Sequence, residues 1–181
     1  MKHDIHVVAI IPDIYLHTGN IRKIYEGGHS YFGQYKNEMR DGLGEMIYSN
    51  GDQYHGIWRY DFSNGHGIMT YKNGNVYEGM WRDNLFHGHG ILNYANGDIY
   101  DGMWCDDMKF RHGIMKYNNG DIYDGTWSNG ERSGTGKYTF EDGIVYNGQW
   151  FNDDRVGMGS LIYPNGYVYS GLWCDDCISY E

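Results

Sequence analysis

The sequence predicts an all-β fold: an elongated single-layer antiparallel sheet of stacked β-hairpin repeats with a 23-residue period. Three observations predict it. All six tryptophans, Trp58, Trp81, Trp104, Trp127, Trp150 and Trp173, share one phase of that period. Chance would place them so roughly once in several million arrangements, so the chain is an internal repeat. Before each Trp the residues alternate as a strand does, Tyr54, Gly56 and Trp58 being one instance. Each copy then closes on a turn dipeptide such as Asn73-Gly74.

The elements follow in order. Residues 1–30 are expected to form an N-terminal capping segment with a degenerate half repeat, marked by Gly19, Tyr25 and Gly27-Gly28 in phase. Within it, residues 5–11 (IHVVAII) are too short and too interrupted for a secretory signal, and are expected to be a capping strand. Residues 31–173 form the array, six full copies plus a terminal half copy. The first copy has Tyr35 in the Trp position. Residues 174–181 are expected to be a short tail, and no appended enzyme domain is expected.

One copy, residues 54–76, serves for all. Tyr54, Gly56 and Trp58 fall on one face of a first strand, and Gly65, Gly67, Met69 and Tyr71 are expected to share a face of a second. The 59–64 stretch connects them at one edge. At the other edge Asn73-Gly74 hands over to the next copy, and both of its residues can take positive φ. The turn glycines are Gly51, Gly74, Gly97, Gly120, Gly143 and Gly166. At about 4.8 Å between strands, each copy advances roughly 10 Å.

Glycine positions leave room for Tyr and Trp of adjacent strands to pack edge to face. With Met46, Met69, Leu92, Met115, Tyr138 and Leu161, they make one continuous apolar stripe. The opposite face is mixed, with β-branched residues beside Glu78, Asp101 and Asp124, then Met80, Met103 and Thr126.

Composition removes several function classes. The 28 glycines are periodic and prolines number only 2, which excludes a collagen-like or low-complexity chain. The net charge of −10 disfavours nucleic acid and anionic membrane lipid as partners, because both need a basic surface. Three cysteines suit no disulfide framework, and a reducing, cytoplasmic compartment is expected, with membrane or cytoskeletal association left open.

The pattern Y-x-G-x-W, then G-x-G, then Tyr and Asn-Gly resembles the MORN repeat family over about residues 31–173. Departures are Tyr35 for Trp, Arg111 for Gly, Phe140 for Tyr and Asp142 for Asn. The resemblance implies an elongated β-sheet array that scaffolds proteins, forms homodimers in many members and touches phosphoinositide membranes in some.

His66, His89 and His112 recur at one position, but neighbours roughly 10 Å apart cannot share a zinc ion, whose nitrogens lie within about 3.5 Å. A local His87/His89 pair lacks a visible third ligand. Cys174-Asp175-Asp176-Cys177 has C-x-x-C spacing, yet Cys105-Asp106-Asp107 repeats its first words in phase, which makes Cys174 a repeat residue. Repeated carboxylates give no unique pair with split pKa values. No catalytic, cofactor or metal residues are therefore expected. The expectation is a non-catalytic scaffold that binds protein partners or itself through an open aromatic groove centred on Tyr77, Trp81, Tyr100, Trp104, Tyr123 and Trp127. The alternatives are a phosphoinositide-binding tether and a regulatory subunit of a separate enzyme.

Overall fold

Alternation fixes the strands and glycine spacing fixes how they meet. The structure, a computed structural model, describes residues 20–178, and these form strands and turns with no helix. The capping strand expected at 5–11 lies outside the described residues.

The chain divides into two compact units, one ending at Phe86 and the other beginning at His87. The first holds β1 (Asn20–Ile24), β2 (Ser30–Lys36), β3 (Met39–Ile47), β4 (Gln53–Arg59), β5 (Phe62–Thr70) and β6 (Val76–Arg82). Each is antiparallel to the next. The strand β7 (Leu85–Asn93) opens at the end of that unit. It leads into β8 (Ile99–Cys105), β9 (Met108–Lys116), β10 (Ile122–Ser128) and β11 (Glu131–Thr139). Then come β12 (Val145–Phe151), β13 (Asp154–Ile162), β14 (Val168–Cys174) and β15 (Cys177–Ile178). These too pair antiparallel in chain order. The chain is thus an all-β array of antiparallel hairpin repeats, as its period requires.

Register places glycine against glycine. Gly33, Gly44, Gly56, Gly67 and Gly79 form one row across β2 to β6. A second row runs from Gly90 and Gly102 on β7 and β8 to Gly159 and Gly171 on β13 and β14. The rows exist because a tyrosine ring lies flat over each. A Cβ on Gly56 would stand 2.5 Å from the Tyr54 hydroxyl and 2.5 Å from the Gly67 Cα. The missing side chains are the space the rings occupy.

The two edges use different turns, and neither is built quite as the sequence suggests. The connection expected over 59–64 is only two residues, Tyr60 and Asp61, both at positive φ (51° and 69°). It is a tight turn whose twist matches the strands. Phe62 already pairs with Arg59, and a register shift then absorbs Gly65 as a bulge with φ 61°. Gly65 is therefore a bend and not an alternating strand position, and Tyr71 lies beyond the end of β5. At the opposite edge only the glycine of Asn73-Gly74 has positive φ (95°). Gly74 N–H donates to the Tyr71 carbonyl at 2.9 Å, and the Asn73 side chain accepts from Asn75 N–H at 3.0 Å. This is a three-residue loop with a left-handed glycine, so the two-residue turn with paired positive φ sits on the other edge.

Adjacent copies are also tied at these turns. Asp52, Asp98 and Asp121 each accept from a backbone N–H in the next copy's turn, at Lys72, Asn118 and Glu141 respectively, all at 2.8 Å.

Candidate functional site

The aromatic stripe is a packed layer. Tyr54 meets its own Trp58 edge to face at 5.1 Å and the next copy's Trp81 at 5.2 Å. Tyr100 does the same with Trp104 at 5.0 Å and Trp127 at 5.4 Å. This is the geometry that ring quadrupoles favour. Polar tips are satisfied within the layer. The hydroxyls of Tyr31, Tyr54, Tyr77, Tyr100, Tyr123 and Tyr146 donate to a carbonyl three residues on (Tyr77 to Met80 at 2.9 Å), and each indole N–H donates to a glycine carbonyl of the preceding copy (Trp127 to Gly113 at 3.0 Å). Burial pushes the Tyr54, Tyr100 and Tyr123 hydroxyls well above the ordinary phenol range.

The six residues expected to line an open groove lie inside this layer. Tyr77, Tyr100 and Tyr123 are 0% exposed, and Trp81, Trp104 and Trp127 are 3–5% exposed. Their burial has a physical cause: over a glycine row a ring lies flat on the backbone, and its neighbours and one further side chain close the gaps.

That further side chain is a position the sequence reading passed over. Arg40, Ser63, Phe86, Lys109, Arg132 and Arg155 stand one repeat apart, just after each tight turn. Arg40 lies over Trp58 at 4.1 Å, Lys109 over Trp127 at 4.2 Å, Arg132 over Trp150 at 4.3 Å and Arg155 over Trp173 at 4.5 Å. Phe86 instead stacks on Tyr77 at 3.6 Å and meets Trp81 edge-on at 4.8 Å. The arginines are held from the next copy's turn. Arg132 Nε donates to Asp153 Oδ1 at 2.9 Å and Nη2 donates to the Asp153 carbonyl at 2.8 Å. Arg40 and Asp61, and Arg155 and Asp176, repeat the clamp. Ser63 makes the neutral version, with its N–H donating to Asn84 Oδ1 at 2.7 Å. Burial pushes the Lys109 ammonium below its usual value.

The opposite face is open and chemically mixed. In the first unit Leu43 (53% exposed) stands across from Ile57 (42%), and His66 lies 3.9 Å from Glu78. In the second, His89 lies 2.9 Å from Asp101 and His112 lies 2.8 Å from Asp124. Each of these histidines thus has its own carboxylate partner on the adjacent strand. Toward the end of the array Met158 pairs with Leu172 and Ile162 with Val168, and all four are exposed. Between the two pairs, the Ser160 and Ser170 hydroxyls lie 2.7 Å apart.

The turn glycines Gly51, Gly74, Gly97, Gly120, Gly143 and Gly166 all have positive φ, between 84° and 97°. Cys174 and Cys177 flank the tight turn Asp175-Asp176 and are free and exposed; Cys105, at the same repeat position as Cys174, is free and partly covered. Arg111 takes the bulge position that glycine fills elsewhere, with φ 56°.

Comparison with solved structures gives matches at low identity. The TCP domain of SAS-4 from Drosophila melanogaster, in complex with a proline-rich motif of Ana2, is 16% identical with a TM-score of 0.53. That match covers 90% of this chain and 95% of that one. The TCP10c domain of Drosophila melanogaster Sas-4 is 14% identical with a TM-score of 0.50, over 88% of this chain and 96% of that one. At such identity the likeness is one of fold. No curated protein matches the sequence. The MORN repeat model matches six consecutive segments, 31–53, 54–76, 77–99, 100–122, 123–145 and 146–166. Those segments carry the Tyr-Gly-Trp layer, the glycine rows and both kinds of turn, and the chain belongs to the MORN repeat family.

Proposed function

We propose that this chain is a non-catalytic scaffold that binds a protein partner through the open face of its sheet rather than through the aromatic layer. One observation carries the reading. Tyr31, Tyr54, Tyr77, Tyr100, Tyr123, Tyr146 and the six tryptophans are buried, while the other face leaves cross-strand apolar pairs in solvent, Met158 with Leu172 and Ile162 with Val168 among them. Adjacent exposed apolar groups beside polar ones form the type of surface that partners cover. The SAS-4 domain is seen in complex with a proline-rich motif of Ana2, so a sheet of this kind can serve as a receptor; that motif is the ligand of that domain.

A phosphoinositide tether is less well supported. Arg40, Arg132 and Arg155 are each engaged with a tryptophan and an aspartate, which withdraws them from phosphate binding. The test is capture from extract of the native host on immobilised protein, comparing wild type with the double variant Met158→Asp, Leu172→Asp. The variant should keep its thermal midpoint and lose the specifically captured protein. Capture unchanged in the variant would remove this face from the account, and flotation with phosphoinositide vesicles would favour the tether.

A further inference from the structure

A feature present in every copy is architecture first, so a site is marked by chemistry that departs from the repeat. One cluster does. His87, Cys105 and Asp106 bring a nitrogen, a sulfur and a carboxylate oxygen within 4.8 Å of one another. The corresponding trios one repeat away are Asn64, Arg82 and Asp83 on one side and Phe110, Ser128 and Asn129 on the other. Two further copies give Ser133, Phe151 and Asn152, and Val156, Cys174 and Asp175. No other copy with all three positions described combines the three ligand types.

The fold explains how they meet. Gly88 on β7 pairs with Trp104 on β8, which sets His87 opposite Cys105. Asp106 follows as the first residue of the tight turn, with φ 51°. All three residues lie in the second unit. In the preceding copy, Asn64 at the His87 position donates to Asp83 at 3.3 Å, an ordinary polar contact. His87 does not reproduce it. Its Nδ1 is buried, makes no hydrogen bond, and lies 3.7 Å from Asp106 Oδ1. The Cys105 sulfur lies 3.9 Å from Asp106 Oδ2.

Those distances suit an ion better than a hydrogen-bonded network. With bonds of about 2.0–2.1 Å to N or O and about 2.3 Å to S, the ligands of a tetrahedral ion stand about 3.4–3.6 Å apart. The separations of 3.7 and 3.9 Å, one to each oxygen of the Asp106 carboxylate, exceed that by only a few tenths of an ångström. We propose that His87 Nδ1, Cys105 Sγ and one carboxylate oxygen of Asp106 bind a divalent cation of the zinc class, with water in the fourth position.

Sulfur and imidazole ligands select such an ion over magnesium or calcium. Binding takes up the thiolate, so the Cys105 thiol proton leaves to solvent and the imidazole binds in its neutral form with the proton on Nε2. Thiolate and carboxylate then balance the 2+ charge. The sequence shows no third ligand beside His87 and His89 because Cys105 lies at the end of the next strand and Asp106 in the turn after it, a partnership that only register reveals.

The experiment uses the full reduced chain, stripped with a chelator and titrated with Co²⁺ as a spectroscopic probe. One Co²⁺ per chain should bind, with a thiolate-to-metal charge-transfer band, and Zn²⁺ should displace it. Cys105→Ser and His87→Asn borrow residues that the protein's own copies place at these positions, Ser128 and Asn64, so the fold is retained. Each should weaken binding by more than the roughly 10–100-fold that follows loss of an outer-shell partner. The pair Cys174→Ser, Cys177→Ser should leave the band intact. Absence of a thiolate band, or a band that survives Cys105→Ser and vanishes with Cys174 and Cys177, would overturn the site.

Discussion

Arg132 shows how one side chain closes the aromatic layer. Its guanidinium covers Trp150 at 4.3 Å while Asp153 fixes it from the next copy. A cation over an indole contributes about 0.5–1 kcal/mol when exposed and up to about 2 when desolvated. The ion pair adds less than about 1 kcal/mol, since the Asp153 side chain is 48% exposed and solvent screens it. Arg132→Ala should therefore cost about 2 kcal/mol in urea unfolding, stem packing included. Arg132→Lys should cost less, because Lys109 already stands over Trp127 at 4.2 Å. An Arg132→Ala variant as stable as wild type would show that the stack contributes nothing. This position was illegible in the sequence for a plain reason. Arg40, Lys109, Arg132 and Arg155 bring a cation to this place but Ser63 and Phe86 do not, so no single residue type marks it in every copy.

At the level of the hairpin, the sequence was half legible. Alternation of Tyr54, Gly56 and Trp58 predicted β4 correctly, because period two is a direct consequence of strand geometry. The turns were less transparent. Asn73-Gly74 advertises paired positive φ, yet the chain spends that conformation at Tyr60-Asp61, Asp83-Asn84 and Asp106-Asp107, where no glycine marks it. The bulge after each tight turn explains why. It needs a left-handed residue, and glycine at 65, 88, 134 and 157 supplies it. Arg111 is the exception, and holding an L side chain there costs about 1–2 kcal/mol. Glycine gives back part of that in unfolded-chain entropy, so Arg111→Gly should stabilise the protein by about 1 kcal/mol, read as a rise in thermal midpoint. A fall instead would mean that the Arg111 guanidinium, 5.5 Å from the Phe110 ring centre, offsets the backbone cost.

At the scale of the whole molecule, two faces divide the labour within each unit. In each, Tyr, Trp and Gly build one face, and the other carries histidine–carboxylate pairs and exposed aliphatics. The period announced the first face in full. Whether that face was sealed could not be read, because sealing depends on rings lying flat over glycine rows and on capping residues supplied from neighbouring strands. All six tryptophans belong to the layer, and so they report on it without any label. The direct measurement is collisional quenching of the intrinsic tryptophan fluorescence by iodide and acrylamide. A sealed layer predicts blue-shifted emission and quenching far below that of free tryptophan, rising to the free value only on unfolding. Red-shifted emission with quenching close to free tryptophan in the folded protein would show an open aromatic groove and contradict the account.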